Sequence, residues 1–275
     1  MRPVFSFDTF RGYLQEDLTT FEYRFLKKVF SQSAFSFGAF GLLVCTLSWA
    51  VDKAGGSSGA VAAGAAIAAF VSGVCLMFYY MPKYHADPLN VTPTFVKRAY
   101  LVLIATYAIV FVALLKILST VSVISSSQNG FGGNLILGGT LFGGTLCVYL
   151  IPVTVGFFMK KHSSAIKLFN FIKACSIAYM VLFFASFILM FFSSEQTHRL
   201  HNSLLLLVGG AITFVSPILS VYRMKMVVRH LDESDPVAIK KWELFFVFET
   251  LVQLMQMAMY LVRLCLWTFS KCCGR

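Results

Sequence analysis

The sequence predicts an all-α polytopic membrane protein, a seven-helix transmembrane bundle, and three observations carry that prediction. Hydrophobic residues fill 58% of the 275 positions and charged residues only 13%. Mean hydropathy is +0.76. The apolar residues fall into seven runs, each close to or above the roughly 20 residues that cross the hydrocarbon. Soluble domains of this length do not carry that balance. No water is available inside the bilayer to satisfy backbone groups, so each run is expected to be helical.

Residues 1–33 form a polar lead-in, expected to be cytosolic, within which Phe21 to Phe30 reads as a short amphipathic helix. It has no early apolar run ending in a small-residue cleavage site, so no cleavable signal is expected. The transmembrane domain is expected over 34–270, followed by a short tail, 271–275. Segment 1 spans about Ala34–Val51. Segment 2, about Ser58–Met81, is rich in Ala and Gly, and a loop with three prolines follows it. Segments 3 to 6 cover Ala99–Val121, Phe131–Phe158, Ala165–Phe192 and Leu200–Tyr222. A charged stretch, Arg223 to Lys241, leads into segment 7, about Trp242–Phe269.

Lys and Arg set the orientation. The N-terminus holds Arg2, Arg11, Arg24, Lys27 and Lys28, and the 2–3 region Lys83, Lys97 and Arg98. The 4–5 region adds Lys160, Lys161 and Lys167, and the 6–7 linker Arg223, Lys225, Arg229, Lys240 and Lys241. The alternate links hold only Lys53 and Arg199. The positive-inside rule therefore puts the N-terminus in the cytosol. The sequon Asn90-Val91-Thr92 would then be cytosolic and unglycosylated. A net charge of +11 is read as basic loops facing anionic headgroups rather than as a nucleic-acid surface. Membrane lipids are the expected partners, and no nucleic acid is.

Small residues suggest close helix contacts: Gly139 and Gly143 make a GxxxG, with Gly138 and Gly144 adjacent, and segment 2 offers Gly64 and Ala68. Pro152 and Pro217 are expected to bend segments 4 and 6. Five cysteines fall inside apolar runs, where Cys behaves as a small hydrophobe. Cys272 and Cys273 lie just past segment 7, open to two readings: palmitoylated, if the tail is cytosolic, or unmodified thiols.

Little here suggests catalysis. No nucleophile elbow, phosphate loop, zinc motif or paired carboxylate occurs within segments 1 to 6, so no enzyme activity, metal or cofactor is expected. Of the five histidines, His198 and His201 are three apart and could supply half a metal site. With no third ligand nearby they read as solvated loop residues. Lys116 and Lys173 enter apolar runs and read as snorkelling side chains.

Segment 7 is different. Glu249, Gln253, Gln256, Tyr260 and Arg263 recur at offsets that keep one helix face. Such a stripe in a lipid-soluble helix is expected to face protein or water and to mark a pathway or pairing site. The competing reading is an amphipathic helix lying in the interface. An unpaired carboxylate at the depth of Glu249 is costly, and the simplest partner is Arg223 at the end of segment 6.

Three stretches carry a family resemblance. Phe25-Leu26-Lys27-Lys28-Val29-Phe30, before segment 1, is similar to a basic "LKKVY" motif. Val221-Tyr222-Arg223-Met224-Lys225 and Leu244-Phe245-Phe246-Val247-Phe248-Glu249-Thr250-Leu251-Val252 resemble "YDTQ" and "LYLDIIN". Together with the seven-helix plan, they resemble the Bax inhibitor-1 (transmembrane Bax inhibitor motif) family. The resemblance implies six helices wrapped around a central C-terminal helix. It also implies an endomembrane location and a pH-dependent Ca²⁺ leak that restrains stress-induced cell death. In the family a pair of aspartates on helices 6 and 7 gates the leak. Here the helix 6 position reads Arg223. The helix 7 position reads Glu249, or, with a shift of two, Val247 with Glu243 on a second family acid. Two carboxylates can share a proton and switch with pH, whereas an Arg–Glu pair keeps its charges. The expectation is therefore a Bax-inhibitor-like scaffold whose gate is lost or replaced by an Arg223–Glu249 latch. Ca²⁺ or protons would be the permeant ions, and the endoplasmic reticulum, Golgi or mitochondrial inner membrane the location. Two alternatives remain: a non-conducting subunit with membrane-protein partners, and a small-solute transporter, for which no internal repeat is visible.

Overall fold

The computed structural model describes residues 19–53, 92–121, 131–159, 162–192 and 195–273, with five isolated positions between 64 and 79. Those described residues are helical apart from short turns, and no strand occurs among them. Six long helices run in order: α1 Thr20–Lys53, α2 Pro93–Val121, α3 Phe131–Phe158, α4 His162–Phe192, α5 Glu195–Arg229 and α6 Pro236–Cys273. All six are long and apolar enough to cross a membrane. The expected segment 2 lies almost wholly outside the described residues.

Helix α3 coincides with segment 4; the other helices reach further into polar sequence than hydropathy suggests. The lead-in is not separate from segment 1, because α1 runs unbroken through the boundary expected at Ser33. Its buried positions, Phe25, Val29, Ser33, Phe37, Phe40 and Val44, continue one helical stripe across that point. Capping residues set the true starts. At α1, Thr19 Oγ1 accepts the Glu22 N–H at 3.3 Å while Glu22 Oε2 accepts the Thr19 N–H at 3.0 Å, a reciprocal capping box. Thr92, the last residue of the sequon, caps α2, and Asp235 caps α6 through the N–H groups of Val237 and Ala238, both at 3.0 Å. In α2 and α6 a proline opens the helix, where its missing N–H costs nothing. Pro152 and Pro217 sit inside helices that continue past them.

The described chain divides into two compact units. The first takes the described residues of Met1–Ser33 with Tyr149–Gln253; the second those of Ala34–Val148 with Leu254–Arg275. In the first unit, Phe25 and Leu26 of α1, Val221 and Met224 of α5, and Phe245 and Phe246 of α6 are buried. Phe25 meets Phe246 edge-on at 6.3 Å. The backbones of α3 and α5 approach so closely that a Cβ on Gly156 would lie 2.8 Å from the Ile218 carbonyl oxygen. By contrast α4 presents bare apolar side chains, and none of its most hydropathic window is buried. In the second unit Phe40, Phe111 and Phe142 meet mutually, edge-on or tilted, with centroids 5.4 to 5.9 Å apart. Two glycines there are tight: a Cβ on Gly138 would collide with Cys45 Sγ, and one on Gly41 would lie 2.9 Å from the Phe142 ring. The expected pair Gly139 and Gly143 meets no described atom within 4 Å. Lys116 does not simply snorkel: its Nζ is 3.2 Å from Asp52 Oδ1, and Asn134 donates to the other carboxylate oxygen at 3.0 Å.

Several hydroxyls are satisfied within their own helices. Thr106, Thr145 and Thr213 each donate to the carbonyl four residues earlier, which spares these apolar helices an unpaired polar group.

Candidate functional site

The polar residues of the first unit fall into two groups. The first ties helix ends together. Lys28 Nζ on α1 donates to Glu243 Oε2 on α6 at 2.8 Å, with the Glu243 side chain 8% exposed. Arg229 at the end of α5 lies 3.6 Å from Glu22. Lys225 is buried, and its Nζ donates to the carbonyls of Phe157 at 2.7 Å and Met159 at 3.3 Å. Those carbonyls end α3 and have no intrahelical partner, and a cation there also opposes the helix dipole. Sequence reading placed Lys225 in a linker; it is a helix cap.

The second group lines a cleft of about 440 Å³ formed by α4, α5 and α6. His162 opens α4, and its Nδ1 is 3.2 Å from the Tyr222 hydroxyl on α5. Arg223, next along α5, is exposed and holds its guanidinium 5.2 Å above the Phe245 ring, a cation–π contact. Glu249 reaches the cleft from α6. Its Oε2 and Ser220 Oγ on α5 are buried and make no well-formed hydrogen bond among the described residues, although Ser220 is near enough to act on the carboxylate. Arg223 acts electrostatically on the Glu249 carboxylate. Among the described residues, however, no ion pair within 4 Å joins them. The expected latch is therefore two opposite charges facing one cavity rather than a closed pair. Ile166 and Phe169 of α4 complete an apolar wall.

The segment 7 stripe is divided between environments. Gln253 is buried, and its Oε1 accepts the Tyr149 hydroxyl proton at 2.8 Å. Gln256 and Arg263 are exposed and Tyr260 is half-buried, so the stripe is not one continuous buried face. Glu243 belongs with Lys28, away from the cleft residues. Cys272 and Cys273 end α6, and their side chains fall outside the description.

Several pairings were missed from sequence. Tyr149, flanked by Val148 and Leu150 in an apolar run, carried a readable signal: a hydroxyl in lipid needs a partner. His201 is not a solvated loop residue. It lies on α5, is buried, and its Nε2 is 2.7 Å from Ser186 Oγ. No group of three or more potential metal ligands occurs among the described residues. No protein-family model, curated protein or solved structure matches the chain.

Proposed function

We propose that this chain is a Bax-inhibitor-1-like integral membrane protein that leaks small cations, Ca²⁺ above all, through the cleft at Glu249, and thereby tempers stress-induced cell death. In this reading seven helices cross an endomembrane of the endoplasmic reticulum or Golgi, the N-terminus is cytosolic, and α6 is the central helix. The burial of 72% of the most hydropathic window of α6 supports its central place. The observation that carries the function is Glu249, an acid on the wall of a cavity whose Oε2 is buried without a well-formed hydrogen bond. Such an atom has lost its water without gaining a well-formed hydrogen bond, a cost retained where a ligand or ion supplies the missing interaction. Arg223 on the same cavity replaces the second family aspartate and would repel cations, so a slow leak is expected rather than an open pore.

The test is Ca²⁺ release from liposomes containing the purified chain, beside Glu249→Gln. Release that falls with the variant supports the leak, and no release from either protein refutes it. A second reading, a non-conducting scaffold for membrane-protein partners, draws on the helix ties Lys28–Glu243 and Lys225 to α3. In that case the protein would be silent in liposomes and would co-purify with a partner. Neither reading involves catalysis.

A further inference from the structure

A cation path needs an acid; it does not need an arginine facing that acid across an apolar-walled cleft. We propose that the cleft binds the headgroup of an aminophospholipid, with phosphate on Arg223, primary ammonium on Glu249 and acyl chains along α4. This goes beyond the leak and does not depend on it.

Charge makes the first argument. Arg223 and Glu249 both line the cavity and leave each other unpaired. A simple anion bound there would face Glu249, and a simple cation would face Arg223. A zwitterion carrying phosphate and ammonium a few bonds apart suits both. The guanidinium fork matches phosphate oxygens, and its plane is already held over Phe245.

Hydrogen bonding selects the amine. Glu249 lines the cleft with Oε2 lacking a well-formed hydrogen bond, and the neighbouring Ser220 Oγ, which acts on that carboxylate, is likewise left short of one. A primary ammonium brings three donors. The quaternary ammonium of choline brings none, so an ethanolamine headgroup is favoured. His162 and Tyr222, joined at 3.2 Å, stand next to Arg223; one of their two protons makes that bond and the other is left to donate toward the phosphate.

The source is lipid rather than a free phosphoamine. Ile166 is 49% exposed and Phe169 61% exposed on the wall of the cleft. Beyond them Ile177, Val181 and Phe184 continue the bare apolar surface of α4. Acyl chains have a surface to follow, and a cavity of about 440 Å³ falls within the usual range for bound small molecules.

Native mass spectrometry of the detergent-purified full chain tests this, with dihexanoyl phosphatidylethanolamine, phosphatidylcholine and phosphatidylglycerol at equal concentration. Phosphatidylethanolamine is expected to bind about tenfold more tightly than phosphatidylcholine, the ratio one charge-assisted hydrogen bond supplies. Glu249→Gln should bring that ratio close to one. Arg223→Gln should weaken all three lipids. Equal binding of the three lipids by the unaltered protein overturns the proposal without any variant having to fold. An undiminished ratio in Glu249→Gln overturns it as well. Free phosphoethanolamine binding as tightly as the lipid would overturn the lipid assignment. Ethanolamine preference without Ca²⁺ release refutes only the leak, and release without preference refutes only the lipid site.

Discussion

Lys28 Nζ sits 2.8 Å from Glu243 Oε2, across 215 positions of sequence, and the two partners differ sharply in exposure: 58% for the lysine side chain and 8% for the glutamate. The acid has lost its water; the base has kept much of its own. Removing the base therefore costs more than the pair itself contributes, because it strands a buried carboxylate. Lys28→Met is expected to lower stability by about 1–2 kcal/mol, below the roughly 3–5 kcal/mol of fully buried pairs because Lys28 is solvated. Adding Glu243→Gln should recover part of the loss. Thermal unfolding in detergent measures both, and a Lys28→Met midpoint equal to that of the unaltered protein would sink the argument.

Lys225 closes α3 from outside. Its ammonium donates to the Phe157 and Met159 carbonyls, which are otherwise left without an intrahelical donor. Lys225→Met keeps much of the buried stem and removes only the donors. The expected cost is about 1–3 kcal/mol, that of leaving buried acceptors unsatisfied. Lys225→Arg should retain most of the stability. Equal unfolding midpoints for the Met and Arg variants would show that the stem, not the cap, matters.

Glycine substitutions separate a sequence motif from a packed contact. A methyl on Gly156 would meet the Ile218 oxygen at 2.8 Å and Val221 Cβ at 2.9 Å. One of these neighbours is backbone, which cannot step aside like a flexible side chain. Gly156→Ala is expected to destabilise by about 1–3 kcal/mol through overpacking. Gly139→Ala meets no described atom within 4 Å and should be neutral or stabilising by up to about 1 kcal/mol through helix propensity. The reverse order of the two midpoints would place the helix contact at the GxxxG after all.

Asp232, in the turn between α5 and α6, offers a pH reading outside the long apolar helices. The Ser234 N–H donates to its Oδ1 at 2.9 Å and, with the Ser234 hydroxyl, holds the carboxyl below its ordinary value of 3.8. The folded form thus favours the carboxylate. Its contribution is present above the unfolded pKa of about 3.8 and is lost as pH falls through the lower folded value. The Ser234 amide shift, followed by NMR, should titrate below 3.8, and a midpoint above it would show that the turn does not hold the charge.

What could be read from the sequence follows from what hydropathy measures. Lipid-length apolar windows were visible, and α3 matches its expected segment from Phe131 to Phe158. The ends of the other helices were not, because Thr19, Thr92 and Asp235 act by hydrogen bonding, which hydropathy does not register. Nor were the pairings: Asp52 with Lys116, or His201 with Ser186, are set by which helix faces meet. The regular spacing of Glu249, Gln253, Gln256, Tyr260 and Arg263 was real as periodicity. It did not tell which members are buried, because a helix of 38 residues passes through more than one environment.

Arg223 and Glu249 share a cavity without closing into a pair, and that distinction can be measured. A direct latch gives a coupling that survives salt, because its charges are desolvated and in contact. Two separated charges on an open cleft interact through partly solvated space, and Arg223 is exposed. A double-mutant cycle of Arg223→Gln and Glu249→Gln should therefore give a coupling of about 1 kcal/mol or less. It should fall as salt rises from about 50 mM to about 500 mM, a range over which the screening length shortens several-fold. The Lys28–Glu243 cycle, with one partner buried, should keep more of its coupling over the same range. A coupling above about 2 kcal/mol at Arg223–Glu249 that ignores salt would mean the charges close on each other. The cleft would then have no charges to spare for an ion or a headgroup, and the latch would be the better account of Arg223 and Glu249.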